Sequence, residues 1–418
     1  MKLSMVAACA ATSALVLSAA TAAHAETTAT APPSVAYTGL AYGTEVSALD
    51  CTVRVGKTPM SSVSCTSQSG VNTTKSLAGV NLPLVGNVGA VTTRARTDET
   101  STYKRTNTQA QVAGVNLLGG QIKADAIKAN SSAYAKADGV NTGVNTLTFT
   151  NLTIAGRTIS ADVAKNTKIT VPGVAEVTVN KQTRGLSKTG RYNVVTTGLS
   201  IELLEGNPLG LPTSTTINIA SATAAVTATT GDATYGGTGF STRVRAVGGA
   251  VTSAPTANAG VPCLGGTNRN ELAGVNVPLL VDAGTTDTIA RGLTDSSRDW
   301  SRVTNRTASP RILGGLISAD ALVAETTVGR SKSTGRTTYT DTSKFVGLKI
   351  AGRTVADVDL APNSVIEIPG VAKVVVHQQI KGKSSMSVTM LRVELLQGAA
   401  GLPVGSIIEV GYSRSALT

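Results

Sequence analysis

The chain has 418 residues, of which 41% are hydrophobic, 15% charged and only 3% aromatic, and its formal net charge is +12 at pH 7. That length is too great for one ordinary domain and predicts two to three. The apolar fraction excludes a wholly disordered chain. Because the sequence has only 1 Trp, 8 Tyr and 3 Phe, any packed core must be built from Val, Leu, Ile and Ala.

Residues 1–25 have the pattern of a secretory signal peptide. Lys2 provides the positively charged N-terminal region, and an uncharged apolar stretch follows from Met5 to Ala20. Ala23-His24-Ala25 then has the small-x-small pattern of a signal-peptidase cleavage site. The apolar stretch is too short for a transmembrane anchor. We therefore expect a secreted, extracellular protein, either free or associated with the cell wall, with no transmembrane segment in the mature chain.

Three cysteines remain after the expected cleavage: Cys51, Cys65 and Cys263. An oxidising destination favours disulfides. A Cys51–Cys65 bridge would close a loop of about 15 residues and contribute about 3 kcal/mol in the chain-entropy model. The alternatives are a Cys65–Cys263 bridge, because the internal repeat places these two cysteines at similar positions, and three unpaired thiols.

Four sequence blocks, the last of them followed by Gly-Leu-Pro in both copies, occur twice in the same order, and the copies are 191 to 197 residues apart. The blocks are 77–85 and 272–280, 117–129 and 312–324, 152–179 and 348–376, and 202–206 and 394–398. Chance does not keep four blocks in register, and the period is far too long for a solenoid repeat. We predict a duplicated domain, with copy 1 at 34–228 and copy 2 at 235–418.

Turn signals within the repeated blocks predict antiparallel β structure. Ala155-Gly156 separates two short strand segments, and Gly tolerates the positive φ of a two-residue hairpin loop. Pro172-Gly173 has the residues of a type II turn, since Pro presets φ and Gly accepts a positive φ. Both turns recur, as Ala351-Gly352 and Pro369-Gly370. The sequence predicts an all-β fold of two tandem homologous antiparallel β-sandwich or barrel-like domains.

One segment, Ile122–Ala137, is rich in Ala and is compatible with a helix. Its counterpart, Leu316–Val328, ends in residues that favour strands. Because two homologous copies should share one structure, we predict strands in both. Two further long strands are predicted over 175–183 and 192–203.

The stretch Gly-Gly-x-Ile-x-Ala-Asp-Ala, at 119–126 and 314–321, precedes the Ile-Ala-Gly-Arg-Thr and Pro-Gly-Val-Ala turns in both copies. In these residues the chain resembles secreted actinobacterial proteins of the choice-of-anchor P family. The resemblance covers most of the mature chain twice and implies an exported domain that occurs with various surface anchors. It implies no catalytic residue. This chain departs from the anchored pattern because it has no recognisable C-terminal anchor.

Residues for common catalytic chemistry are sparse. After the expected cleavage His377 is the only histidine, and copy 1 has Asn180 at the matching position, which favours a surface His over a catalytic base. Three scattered cysteines and one histidine are too few for a structural zinc site, and no phosphate-binding loop motif occurs. We predict a protein that is not an enzyme and has no cofactor or metal.

Recurring carboxylates provide the alternative prediction of a secreted hydrolase. The candidates are Asp125 and Asp320, Asp162 and Asp357, and Glu202 and Glu394. Asp125 lies between two alanines of an alternating strand, which favours an outward-facing structural role. Sugars usually stack on aromatic faces, yet Trp300 has no aromatic equivalent in copy 1.

A third alternative is a module that binds a small apolar ligand inside a sandwich or barrel.

Basic residues give the strongest functional signal. The candidate polyanion-binding residues are Arg291, Arg298, Arg302, Arg306 and Arg311 in copy 2, and Arg94, Arg96, Lys104 and Arg105 in copy 1. Such a surface attracts polyanions, and the attraction weakens with salt. Export and the scarcity of stacking aromatics argue against nucleic acid. We expect a structural or adhesive protein at the cell envelope, with anionic cell-wall polymers or other surface components as partners; the alternative is a basic surface that serves solubility alone.

Overall fold

The computed structural model describes residues 31–47, 54–82, 84–188, 190–229, 233–245, 252–253, 255–277, 279–355, 361–399 and 402–418. The predicted signal peptide, Cys51 and Asp357 lie outside these described residues. Within them the chain forms antiparallel strands and one 3-10 turn, Leu118–Gly120. The predicted all-β fold is therefore confirmed. No helix of this described part is long and apolar enough to cross a membrane.

The described residues between 35 and 228 form two sheets. The strands are β1 (Val35–Ser47), β2 (Arg54–Thr66), β3 (Asn72–Leu77), β4 (Val80–Leu82), β5 (Gly86–Val88), β6 (Val91–Glu99), β7 (Tyr103–Leu117), β8 (Ile122–Lys136), β9 (Asn141–Thr150), β10 (Thr153–Ile154), β11 (Arg157–Thr158), β12 (Thr167–Val171), β13 (Ala175–Leu186), β14 (Arg191–Leu203) and β15 (Thr216–Ala228). Sheet A has the order β12-β13-β14-β15-β1-β2. Sheet B has the order β3-β6-β7-β8-β9, and the short strands β4, β5, β10 and β11 extend it.

The described residues between 235 and 417 repeat this arrangement. The strands are β16 (Tyr235–Arg245), β17 (Thr252–Ser253), β18 (Ala259–Gly260), β19 (Gly266–Leu272), β20 (Val275–Val277), β21 (Val281–Ala283), β22 (Thr286–Thr294), β23 (Arg298–Ala308), β24 (Arg311–Ile312), β25 (Ile317–Ser318), β26 (Ala321–Ser331), β27 (Thr337–Asp341), β28 (Lys344–Val346), β29 (Lys349–Ile350), β30 (Arg353–Thr354), β31 (Ser364–Ile368), β32 (Ala372–Lys381), β33 (Ser385–Leu395) and β34 (Ile407–Leu417).

The strand order of the second half corresponds to that of the first. Sheet C, with the order β17-β16-β34-β33-β32-β31, matches sheet A, and sheet D, with the order β19-β22-β23-β26-β27, matches the long strands of sheet B. The short strands form a separate sheet E, β20-β21-β24-β25-β29-β30, because the counterparts of β7 and β8 are each interrupted in this half. The same sandwich topology thus occurs twice.

Left-handed backbone positions also recur in the two copies. Equivalent non-glycine residues with positive φ are Leu84 and Leu279, Leu118 and Leu313, Ala155 and Ala351, Asn166 and Asn363, and Asn180 and His377. L-residues rarely adopt this conformation, so the copies share individual turns and bulges as well as strand order. The predicted hairpin at Ala155-Gly156 has φ of 50° and 74°, as a primed two-residue turn requires.

The ambiguous Ala-rich segment is a strand in both copies. Residues 122–136 form β8, and their counterparts form β25 and β26. The predicted long strands over 175–183 and 192–203 are present as β13 and β14, which extend a few residues further. Alternation of buried and exposed residues along β8 explains why sheet packing overrides the helical propensity of its alanines.

Buried hydroxyl groups divide each sandwich core into separate apolar clusters. In copy 1, Ser131 of sheet B lies 2.8 Å from Thr196 Oγ1 of sheet A and donates to the Ala222 carbonyl at 2.9 Å. In copy 2, Thr326 of sheet D lies 2.6 Å from Ser413 Oγ of sheet C. A buried hydroxyl is costly unless it is hydrogen-bonded, so these contacts fix how one sheet sits on the other. The clusters on either side consist mainly of Val, Leu, Ile and Ala, as the composition predicted.

A disulfide joins Cys65 to Cys263, with the two Cα atoms 5.4 Å apart. The preferred Cys51–Cys65 pairing is therefore corrected in favour of the alternative, because a Cys65 sulfur bonded to Cys263 cannot also bond to Cys51. The sequence analysis favoured the pair that is close along the chain. The structure favours the distant one because β2 packs against β16 and β17, which brings the two cysteines together.

Candidate functional site

Much of the basic cluster predicted in copy 2 lies on β22 and β23, neighbouring strands of sheet D. Their register places Arg291 opposite Arg302 and Leu293 opposite Trp300. The intervening residues, Gly292 and Ser301, are buried. Because successive side chains of a strand point to opposite faces, this four-residue set lies on the outer face of the sheet. We call it the arginine-pair site.

Arg302 is held in place by two neighbours. Its guanidinium carbon lies 5.0 Å from the centre of the Trp300 ring, within the range of a cation–π contact. Its Nε donates a hydrogen bond to Thr327 Oγ1 at 3.0 Å. In the described part of the chain, no hydrogen bond or ion pair engages its two terminal nitrogens. The side chain is therefore ordered while its outer donors remain available.

Arg291 is exposed and lies directly across from Arg302. Residues opposite each other on an antiparallel pair have Cβ atoms about 4.5–5.5 Å apart, and like charges there are destabilising. Among the described residues, no carboxylate lies within 4.0 Å of the nitrogens of either arginine. The pair is thus an uncompensated concentration of positive charge.

The other predicted basic residues of copy 2 are arranged differently. Arg306 lies 3.8 Å from Asp287, and Arg298 lies 3.5 Å from Asp295, so both have carboxylate partners. Hydrogen bonds from the Ser297 hydroxyl and from the backbone N–H groups of Ser297 and Arg298 lower the pKa of Asp295 to about 2. Arg311 belongs to β24 of sheet E. The structure therefore brings only part of the predicted cluster together.

The matching face of copy 1 is compensated internally. The β6–β7 register places Arg96 opposite Asn107 and Asp98 opposite Arg105, at the positions of the arginine-pair site. Asp98 lies 3.5 Å from Arg96 and 3.0 Å from Arg105. Copy 1 thus has a carboxylate where copy 2 has Leu293.

The remaining candidates of copy 1 also have partners. Lys104 lies 3.4 Å from Glu99, and Arg94 donates to Asn72 Oδ1 at 2.9 Å. Arg105 lies 5.7 Å from the ring centres of both Tyr103 and Tyr134. Sequence reasoning counted these cations as equivalent to those of copy 2. It missed Asp98 and Leu293, whose roles depend on which residues face each other across the strands.

The structure does not bring the carboxylate candidates together. Asp125 is exposed on the outer face of sheet B and accepts a hydrogen bond from Asn151. Glu202 is exposed on the outer face of sheet A, and Asp162 is exposed in a turn between β11 and β12. In copy 2, Glu394 lies 3.4 Å from Arg392, and Asp320 is exposed.

His377 is located at a bulge of β32, where its φ is 52°. Its Nε2 lies 2.8 Å from Asp341 Oδ2, and Gln379 Nε2 donates to the same oxygen at 2.8 Å. Burial raises the pKa of Asp341, but hydrogen bonds from His377, Ser343 and Gln379 outweigh it and lower the pKa to about 2. The contact connects an edge strand of sheet D with sheet C.

Three of the concavities on the described surface have volumes of about 480, 630 and 240 Å³. The first is lined by polar side chains such as Asn145, Gln182 and Arg184, and the second includes Asp299 and Lys332. All three are open grooves. None of them is the enclosed apolar cavity that the small-ligand alternative requires.

Comparison with models of known protein families finds no match to this chain, and comparison with curated proteins finds none either. The resemblance to the choice-of-anchor P family therefore stays a prediction.

Proposed function

We propose that this protein is an exported, non-enzymatic β-scaffold that adheres to anionic polymers at or near the cell envelope. The observation that carries the proposal is the arginine-pair site, in which Arg291 and Arg302 face each other without a carboxylate within 4.0 Å in the described part of the chain. An anion bound between them would relieve their mutual repulsion.

The architecture suits an adhesive role. Two sandwiches with hydrogen-bonded hydroxyl layers present broad strand faces, and a disulfide connects the two copies. A structural disulfide is compatible with an oxidising, extracellular compartment, as is the signal-peptide pattern of residues 1–25. The net charge of +12 favours polyanions as partners through long-range attraction.

The hydrolase alternative has less support. A glycoside hydrolase needs two carboxyl groups about 5–10 Å apart on either side of the bond that it cleaves. Asp125 and Glu202 lie on the outward faces of opposite sheets of one sandwich. The geometry therefore favours binding by the arginine pair over catalysis by these acids.

Sedimentation with purified cell-wall material tests the proposal. We expect the mature protein to bind at low ionic strength and to be released as salt rises, because exposed charge pairs are screened within about 10 Å at 0.1 M salt. Wall material stripped of its anionic polymers is the control and should retain little protein. Absence of binding to intact wall material at low salt would contradict the proposal.

A further inference from the structure

We propose that copy 2 alone carries the polymer site, and that Arg291 and Arg302 bind a phosphodiester group of an envelope polymer. This inference rests on the proposed function. It specifies which copy binds the polymer, which residues make the contact and which chemical group they bind.

The comparison of equivalent positions assigns the site to copy 2. In copy 1, Asp98 lies 3.5 Å from Arg96 and 3.0 Å from Arg105, so a carboxylate already neutralises the counterpart of Arg291. In copy 2, the equivalent residue is Leu293, which is 39% exposed and carries no charge. Copy 1 also has Asn107 where copy 2 has Arg302. Duplication thus produced one self-neutralised face and one face with an uncompensated charge pair.

The geometry of the pair favours phosphodiester over carboxylate. A planar carboxylate is satisfied by the two parallel donors of a single guanidinium. Arg291 and Arg302 extend from neighbouring strands and can approach one anion from two sides. The tetrahedral oxygens of a phosphodiester, which point out of any single plane, can accept from both guanidinium groups at once.

Apolar neighbours strengthen the site. Trp300 lies beside Arg302 and opposite Leu293, and Gly329 faces Trp300 on the next strand. Ion pairs beside apolar surface are less screened than those in open water. Since Thr327 already engages Nε of Arg302, little ordering of the Arg302 side chain remains when an anion binds.

Equivalent substitutions in the two copies provide the test. The wild-type mature protein and its variants Arg291→Gln and Arg96→Gln are titrated with poly(glycerol phosphate) of defined length. Both variants lose one positive charge, so net charge cannot distinguish them. We expect Arg291→Gln to weaken binding about tenfold or more, because a charge-assisted hydrogen bond is lost, and Arg96→Gln to bind like the wild type.

A second variant, Leu293→Asp, keeps both arginines and introduces the carboxylate that copy 1 has naturally. We expect it to lose affinity to a similar extent while its thermal unfolding stays close to that of the wild type. Equal losses in Arg96→Gln and Arg291→Gln would overturn the assignment to copy 2 while leaving polymer binding intact. Tighter binding to polygalacturonate than to poly(glycerol phosphate) would overturn the phosphodiester assignment. If the wild type sediments with intact wall material but binds neither polymer, the phosphodiester assignment fails and the proposed function stands. If it binds neither the polymers nor the wall material, the proposed function itself fails.

Discussion

Cys65 and Cys263 occupy equivalent positions in the two copies and are bonded to each other. They are separated by 198 residues, the same separation as between Tyr37 of β1 and Tyr235 of β16. The surroundings are reciprocal: Thr38 Oγ1 lies 3.9 Å from Cys263 Sγ, and a Cβ placed on Gly236, the counterpart of Thr38, would lie 4.0 Å from the Cys65 carbonyl oxygen. Reciprocal contacts of this type characterise two-fold, isologous interfaces. Each cysteine thus lies beside the first strand of the other copy.

The disulfide gives the first prediction. We expect a protease digest of the non-reduced mature protein to contain one cross-linked pair of peptides, which carries Cys65 and Cys263, because their Cα separation of 5.4 Å is typical of a disulfide. Cys51 should react with an alkylating reagent after denaturation without reduction. Mass spectrometry of the digest provides the measurement. A cross-link between Cys51 and Cys65 would contradict the structure.

The second prediction concerns Asp341 and acid stability. Its pKa in the folded protein is lowered to about 2, so its contribution is complete above the unfolded-state pKa of about 4 and is lost as the pH falls toward 2. We expect Asp341→Asn to lower the free energy of unfolding at pH 7 by about 1–2 kcal/mol. The difference from the wild type should shrink as the pH falls from 4 to 2.

Urea denaturation at pH 7 and pH 2.5 measures this effect. Asp162→Asn, in an exposed turn of copy 1, is the control and should change stability little at either pH. A destabilisation by Asp341→Asn that is equally large at pH 2.5 would show that packing, rather than ionisation of the carboxyl group, is responsible. Copy 1 has Asn145 and Asn180 at the matching positions, so the pH dependence should be confined to copy 2.

Two glycines of one hairpin give the third prediction. A Cβ on Gly198 of β14 would lie 2.5 Å from Ile127 Cγ2 in the core, whereas a Cβ on Gly185 of β13 would meet nothing within 4 Å. We expect Gly198→Ala to destabilise copy 1 by about 1–3 kcal/mol through overpacking. Gly185→Ala should be neutral or slightly stabilising. Calorimetric melting of both variants checks this, and equal melting temperatures would contradict the tight packing around Gly198.

The sequence was sufficient for those features that depend on local chemistry or on duplication. Ala155-Gly156 and Pro172-Gly173 predicted their turns because few residues accept positive φ, and Gly156 and Gly173 have φ of 74° and 68°. The comparison of the two copies correctly predicted a strand rather than a helix for the Ala-rich segment, which forms β8. Such signals are carried by a few neighbouring residues and can be read without knowing the tertiary structure.

Features that depend on contacts between distant segments were not predictable in the same way. The pairing of Cys65 depends on how the two copies meet, which no local pattern encodes. The difference between the two basic faces depends on strand register, because Asp98 neutralises Arg105 across one strand pair and Leu293 faces Trp300 across the other. A count of arginines predicted a basic surface but could not identify which arginines lack a carboxylate.

Protection of individual arginines from chemical modification tests the central claim most directly. The mature protein is treated with a dicarbonyl reagent in the presence and absence of poly(glycerol phosphate), and the modified residues are quantified by mass spectrometry. We predict that the polymer protects Arg291 and Arg302, while Arg157 and Arg353, exposed in the equivalent hairpins of the two copies, react equally with and without it. Unchanged reactivity of Arg291 and Arg302 in the presence of bound polymer would contradict the account.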